Sequence, residues 1–262
     1  INTEAAATNA GVLAGATSIE SNDGNLTLTI AEADAIDGLL SLTGYDVVDT
    51  ASAVQGAFDV STLRAALLGA DSVDYVAGET GKADLNAAEY SALQDNSVTL
   101  TATDFTISDS PANINGTTLA AADYTAVHSV TAVVDSVDKD LTSYTDLAAR
   151  VDSIDLNGNT DVTVDVDQAG LVTGTGTYDV SDTGIAIENE AAKAGAGVLD
   201  NADDVSADAT VTLTVAQYKA LDDADTDLLT AYSIVDTEAN IRSEIDSSAP
   251  TSAGVLDGSA NV

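Results

Sequence analysis

The sequence predicts a repeat solenoid: parallel β-strands with short helical return segments, an α/β or β-solenoid of leucine-rich-repeat-like kind. A strand-and-turn signature that returns four times, a second signature interleaved with it, and helical spacing in the segments between them all point to this fold. The first signature is Tyr45-Asp46-Val47-Val48-Asp49-Thr50, Phe105 to Ser110, Tyr178 to Thr183 and Tyr232 to Thr237. Its acidic residues Asp49, Asp109, Asp182 and Asp236 are 60, 73 and 54 residues apart. A row of tandem β-sandwich domains is the alternative.

The second signature is Ala10-Gly11-Val12-Leu13, Ala196-Gly197-Val198-Leu199 and Ala253-Gly254-Val255-Leu256, with weaker copies at Leu67 to Val73 and Ala148 to Ile154. Strand centres at Ile19, Val47, Val73, Ile107, Val133, Ile154, Val180, Val205, Ile234 and Val262 then give nine steps over 243 residues, a coil of 27. A parallel return needs a dozen or more linking residues, which this spacing supplies. The shortest step, Val133 to Ile154, breaks the period.

The return segments Leu28 to Ile36 and Leu213 to Leu221 set apolar residues at helical offsets behind a Thr able to cap the first turn, and Asp84 to Leu93 is a third copy. In Asp236-Thr237-Glu238-Ala239-Asn240-Ile241 an Asp or Thr oxygen stands where free helical N–H groups need an acceptor. Capping accounts for the recurring Asp-Thr pair without any active site. Tyr45, Tyr178 and Tyr232 recur at the head of a strand and read as packing positions, not as a sugar-binding platform.

Hydrophobic residues make up 45% of the 262-residue chain, enough for a continuous core and unlike a disordered chain. Ala carries much of that share, which suits thin coils packed through small side chains. The net charge of −37 argues against nucleic acid and anionic membranes as partners and favours cations. Cys is absent, so neither a disulfide framework nor thiolate chemistry is available. No apolar run is long enough to span a bilayer. The expected organisation is one elongated array over residues 1–262, part of a longer array or of a polymer. Ile1 to Ala5 resembles Val235 to Ala239, and the chain stops within the second signature at Val262, so both ends predict a bare cross-section and head-to-tail association of copies.

No catalytic set competes with this reading, and the expectation is that the chain is not an enzyme. The single His128 stands in an apolar strand context with no Cys to pair with, and no Gly-x-Ser-x-Gly elbow is present. Calcium is the better chemical hypothesis. Asp155, Asn157, Asn159 and Asp161 place oxygen side chains at alternate positions, as a tight loop does around one hard cation. The segment resembles the opening of an EF-hand loop. It departs from that pattern at Thr160, where Gly belongs, and at Val166, where Glu belongs. Two further clusters supply Asp23 and Asn25, and Asp223, Asp225 and Asp227. Acidic residues at one place in each unit, including Glu79 to Asp84 and Asp203 to Asp208, would line one rim, where calcium offsets their repulsion.

Thr212 to Gln217, Tyr232 to Ile241 and Phe105 to Ile114 together resemble the degenerate repeats of very large bacterial surface or secreted proteins, which alternate Leu-Thr-x-Ala-Gln with Asp-Thr-Ala-Ala-Asn-Ile. The chain departs from them at Ala53 and Ala186, which stand in place of Asn, and in the insertion around residues 130 to 160. The resemblance implies an extracellular or cell-surface, adhesin- or surface-layer-like structural part, often associated with calcium. The leading functional expectation is a self-associating filament, surface-layer or adhesin-stalk segment stiffened by calcium. The alternatives are a glycan- or protein-binding adhesin module and a carbohydrate-active solenoid enzyme.

Overall fold

Short parallel strands and short helices share the chain from Leu26 onward, and several helices begin two residues after a strand ends. The computed structural model describes residues 19, 25–37, 42–76, 82–100, 105–117, 123, 127–222, 229, 232–247 and 259–261. Every pairing with a described register is parallel, and the chain is an α/β fold with several small sheets.

The chain divides into two compact units, and the division falls within one strand. The first unit runs through β1 (Leu26–Leu28), α1 (Ile30–Asp37), β2 (Tyr45–Asp49), α2 (Ala51–Ala57), α3 (Ser61–Leu68) and β3 (Ser72–Tyr75). It continues with β4 (Asp84–Leu85), α4 (Ala87–Asp95), β5 (Thr99–Leu100) and β6 (Thr106–Asp109), followed by α5 (Pro111–Gly116) and β7 (Ser129–Val133). Its first sheet has the order β1-β2-β3-β5, with Leu28 opposite Val47, Val47 opposite Val73 and Val73 opposite Leu100. Alternate residues of β2 face inward: Tyr45 and Val47 are buried, Asp46 and Val48 are not. Ile30, Ala33 and Ile36 of α1 and Val54 and Ala57 of α2 are buried as well. Apolar residues three and four apart on a helix therefore meet those two apart on a strand.

The second unit contains α6 (Leu147–Arg150), β8 (Ser153–Asp155), β9 (Val162–Val164), α7 (Val166–Ala169), β10 (Val172–Thr173), β11 (Tyr178–Asp182) and α8 (Gly184–Ala191). A 3-10 segment over Ala194–Asn201 leads to β12 (Val205–Ala207), β13 (Val211–Leu213), α9 (Val215–Asp222), β14 (Tyr232–Ile234), α10 (Glu238–Ser247) and β15 (Ser259–Asn261). One sheet has the order β12-β11-β9 and another β13-β14-β15. Val164, Val180 and Val205 form one buried row, as Leu28, Val47 and Val73 do in the first unit.

The 27-residue step holds for only part of this pattern. Val47 pairs with Val73 and Val180 with Val205, as the step requires. The strands of Ile107, Val133 and Ile154 are likewise neighbours in sequence order. Other pairings bring in strands that the sequence places in helical returns or does not mark: Leu28 pairs with Val47, Leu85 with Ile107, Val164 with Val180 and Leu213 with Ile234. The apolar residue at the head of each return is a strand residue, and the helix starts only behind the following Thr29, Asn86, Asp165 or Thr214. Two or three residues suffice for such a strand because neighbouring strands supply its hydrogen bonds. Ile19 is not in a strand, and Val262 lies outside the described residues.

Candidate functional site

What recurs most faithfully is a carboxylate that ties each middle strand back to the helix before it. Asp49 Oδ2 accepts the N–H of Ile30 at 3.0 Å, and Asp109 Oδ2 that of Ala87 at 3.0 Å. Asp182 Oδ2 accepts from Val166 at 3.1 Å and Asp236 Oδ2 from Val215 at 3.1 Å. In all four cases the donor is the first residue of a helix, whose N–H has no partner within the helix itself. The adjacent hydroxyl serves its own helix. Thr50, Thr183 and Thr237 accept from the backbone of Ala53, Ala186 and Asn240. The expectation of capping thus divides in two: Thr caps forward, while Asp caps the preceding helix.

Each of the preceding helices also carries a capping box, in which the residue before the helix and the one three places on satisfy each other's backbone N–H. The pairs are Thr29 with Glu32, Asn86 with Glu89, Asp165 with Gln168 and Thr214 with Gln217. The Leu-Thr-x-Ala-Gln segment is therefore a strand end, a cap and its reciprocal partner. Gln168 is fully buried, and its amide nitrogen also donates to the carbonyls of Leu141 and Tyr144.

Packing carboxylates onto one helix start has electrostatic consequences. Burial holds Glu89 above its ordinary value, helped by Asp59, Asp109 and Asp84. Burial likewise raises Asp165, with Asp182 and Asp167 adding to it. The linking Asp236 instead lies below its ordinary value, held there by the Asn240 amide and the backbone N–H groups of Thr237 and Val215.

The aromatic position is internal. Tyr45, Phe105, Tyr178 and Tyr232 are all buried, and the hydroxyls of Tyr45 and Tyr178 donate to the carbonyls of Ala66 and Val198. Burial, with Asp37 and Asp71 nearby, pushes Tyr45 up to about 12. The residue entering the third strand of a unit also recurs: Asp71, His128 and Asp203 donate their N–H groups to the carbonyls of Tyr45, Phe105 and Tyr178. His128 thus occupies a place that Asp fills in two other repeats. It is exposed, despite its apolar strand context in the sequence.

The proposed calcium residues are only partly brought together. Asp155 Oδ1 accepts from the Asn157 backbone at 2.9 Å, and it lies against Gly174, where an added Cβ would sit 2.1 Å away. Asn157, Gly158 and Asp161 all have positive φ, so the loop turns tightly. Asn159, however, turns its amide nitrogen to the carbonyls of Val134 and Leu156, and so braces the loop from beneath. Asp161 Oδ2 accepts from the Thr160 hydroxyl. Asn25 is exposed and donates its amide to Asp46 and Asp71. Asp23, Asp223, Asp225 and Asp227 lie outside the described residues. Among the described residues no group of three or more His, Asp or Glu side chains is arranged to hold a metal ion.

The sequence reading missed the buried carboxylates. Glu190 accepts from the Val198 backbone, pairs with Lys193 and lies where a Cβ on Gly197 would stand. Glu244 is buried and pairs with Lys219. Glu190 follows the exposed Asn189 and Glu244 follows the exposed Arg242 and Ser243, and nothing in their local sequence marks them out.

Fold and bonding define an α/β chain built from strand, cap and helix in recurring order. No protein family, curated protein or solved structure matches it. No described helix is long and apolar enough to cross a membrane.

Proposed function

We propose that this chain is a structural, self-associating segment of an extracellular or cell-surface protein: a filament, surface-layer or adhesin-stalk part whose repeats stack as a solenoid. One observation carries the reading. The residues that recur along the sequence are those that hold strand to helix: Asp49, Asp109, Asp182 and Asp236 make the same bond to the starts of four helices, α1, α4, α7 and α9. Repetition of a framework bond suits a protein whose task is to extend and stay rigid, since each added unit brings its own joint. The recurring aromatics Tyr45, Phe105, Tyr178 and Tyr232, which a glycan-binding face would display, are spent in the core.

Calcium enters this proposal as the counter-charge. The net charge of −37 opposes close stacking of acidic units, and divalent cations relieve that repulsion. Asp155 and Asp161, flanking the tight turn at Asn157 and Gly158, are the side chains expected to respond first. Sedimentation velocity and negative-stain imaging over a concentration series test the proposal, comparing calcium with sodium chloride of equal ionic strength. Filaments or sheets that grow with calcium support both parts. Assembly that depends on ionic strength alone removes calcium and keeps self-association. A monomer at high concentration under all conditions overturns the structural reading.

A further inference from the structure

We draw no further inference here: the strongest candidate, the side-chain cluster of Asp161, Asp179, Asp203 and Asp204 at the N-terminal ends of β9, β11 and β12, is a group of acidic residues with no second observation that points to a ligand.

Discussion

Replacing Asp49 with Ala tests whether the recurring carboxylate is a joint between strand and helix. The side chain accepts from Ile30 at 3.0 Å and from Thr50 at 2.8 Å, and Ile30 is only 2% exposed. Losing a cap costs about 1 kcal/mol, and a poorly hydrated N–H left without a partner costs about 1 to 3 kcal/mol. The expected loss is therefore about 2 kcal/mol, read as a lower urea midpoint at constant slope. Hydrogen exchange gives the local readout: the Ile30 amide should lose protection. Thr50→Ala is the control, because Thr50 caps its own helix through Ala53. It should cost about 1 kcal/mol and leave Ile30 protected. If Asp49→Ala leaves both the midpoint and Ile30 exchange unchanged, or if Thr50→Ala exposes Ile30 equally, the carboxylate is not the joint.

Stability should pass through a maximum on the acid side of neutrality. Glu89, Asp165 and Asp179 are raised in the fold chiefly by burial, so they bind protons there before they do in the unfolded chain. Stability therefore rises as pH falls through their folded values. Asp236 is lowered, and its contribution is lost as pH falls further, through its own folded value. Urea midpoints from pH 7 down to pH 3 should rise and then fall; a monotonic fall from neutrality would contradict the burial of the first three groups. Gly174→Ala places a Cβ at φ +79°, 2.1 Å from Asp155 Oδ1, and should cost about 2 kcal/mol from the left-handed backbone and the clash together. Combining it with Asp155→Ala removes the clash, so a double variant as unstable as the sum of the singles would show that the two groups are not in contact.

Capping was legible in the sequence because it acts over short offsets. A Thr that serves an N–H three residues on leaves a local pattern, and so does a Glu or Gln three residues behind a Thr or Asn. The aromatic at the strand head was legible for a similar reason, since its alternation with Val or Ile puts both inside. The reach of Asp was not legible. Asp49 and Ile30 are 19 residues apart, Asp109 and Ala87 22, Asp182 and Val166 16, and Asp236 and Val215 21, so no fixed spacing announces the bond. The extra strands were hidden for a different reason. Asp84–Leu85 has two residues and Val211–Leu213 three, too few to show a period of two. Placed directly before a helix, their apolar residues read as its first turn. The calcium loop illustrates the remaining gap, because alternate oxygen side chains give composition but not direction, and Asn159 points its amide nitrogen at backbone carbonyls instead.

The variable fourth position after each joint gives a last test of the same physics. Asn113 and Asn240 donate their amides to Asp109 and Asp236 at 2.7 Å, whereas Ala53 and Ala186 stand at the matching places after Asp49 and Asp182. The Asn240 amide is also the main reason that Asp236 lies low, so it stabilises the charged form of the joint. Substituting Ala53→Asn should supply the missing donor to Asp49. A hydrogen bond is worth about 0.5 to 1.5 kcal/mol, and the helix propensity lost from Ala to Asn is about 0.7 kcal/mol or less in an interior turn and smaller near the first. A net gain of about 0.5 kcal/mol is expected, with Asn240→Ala losing a similar amount in its own repeat. The loss on Asn240→Ala should shrink as pH falls through the lowered folded value of Asp236, because the protonated acceptor no longer holds the amide as strongly. An Ala53→Asn variant destabilised at neutral pH, beside an Asn240→Ala variant of unchanged stability, would mean that the Asn-to-Asp contact contributes nothing to the joint.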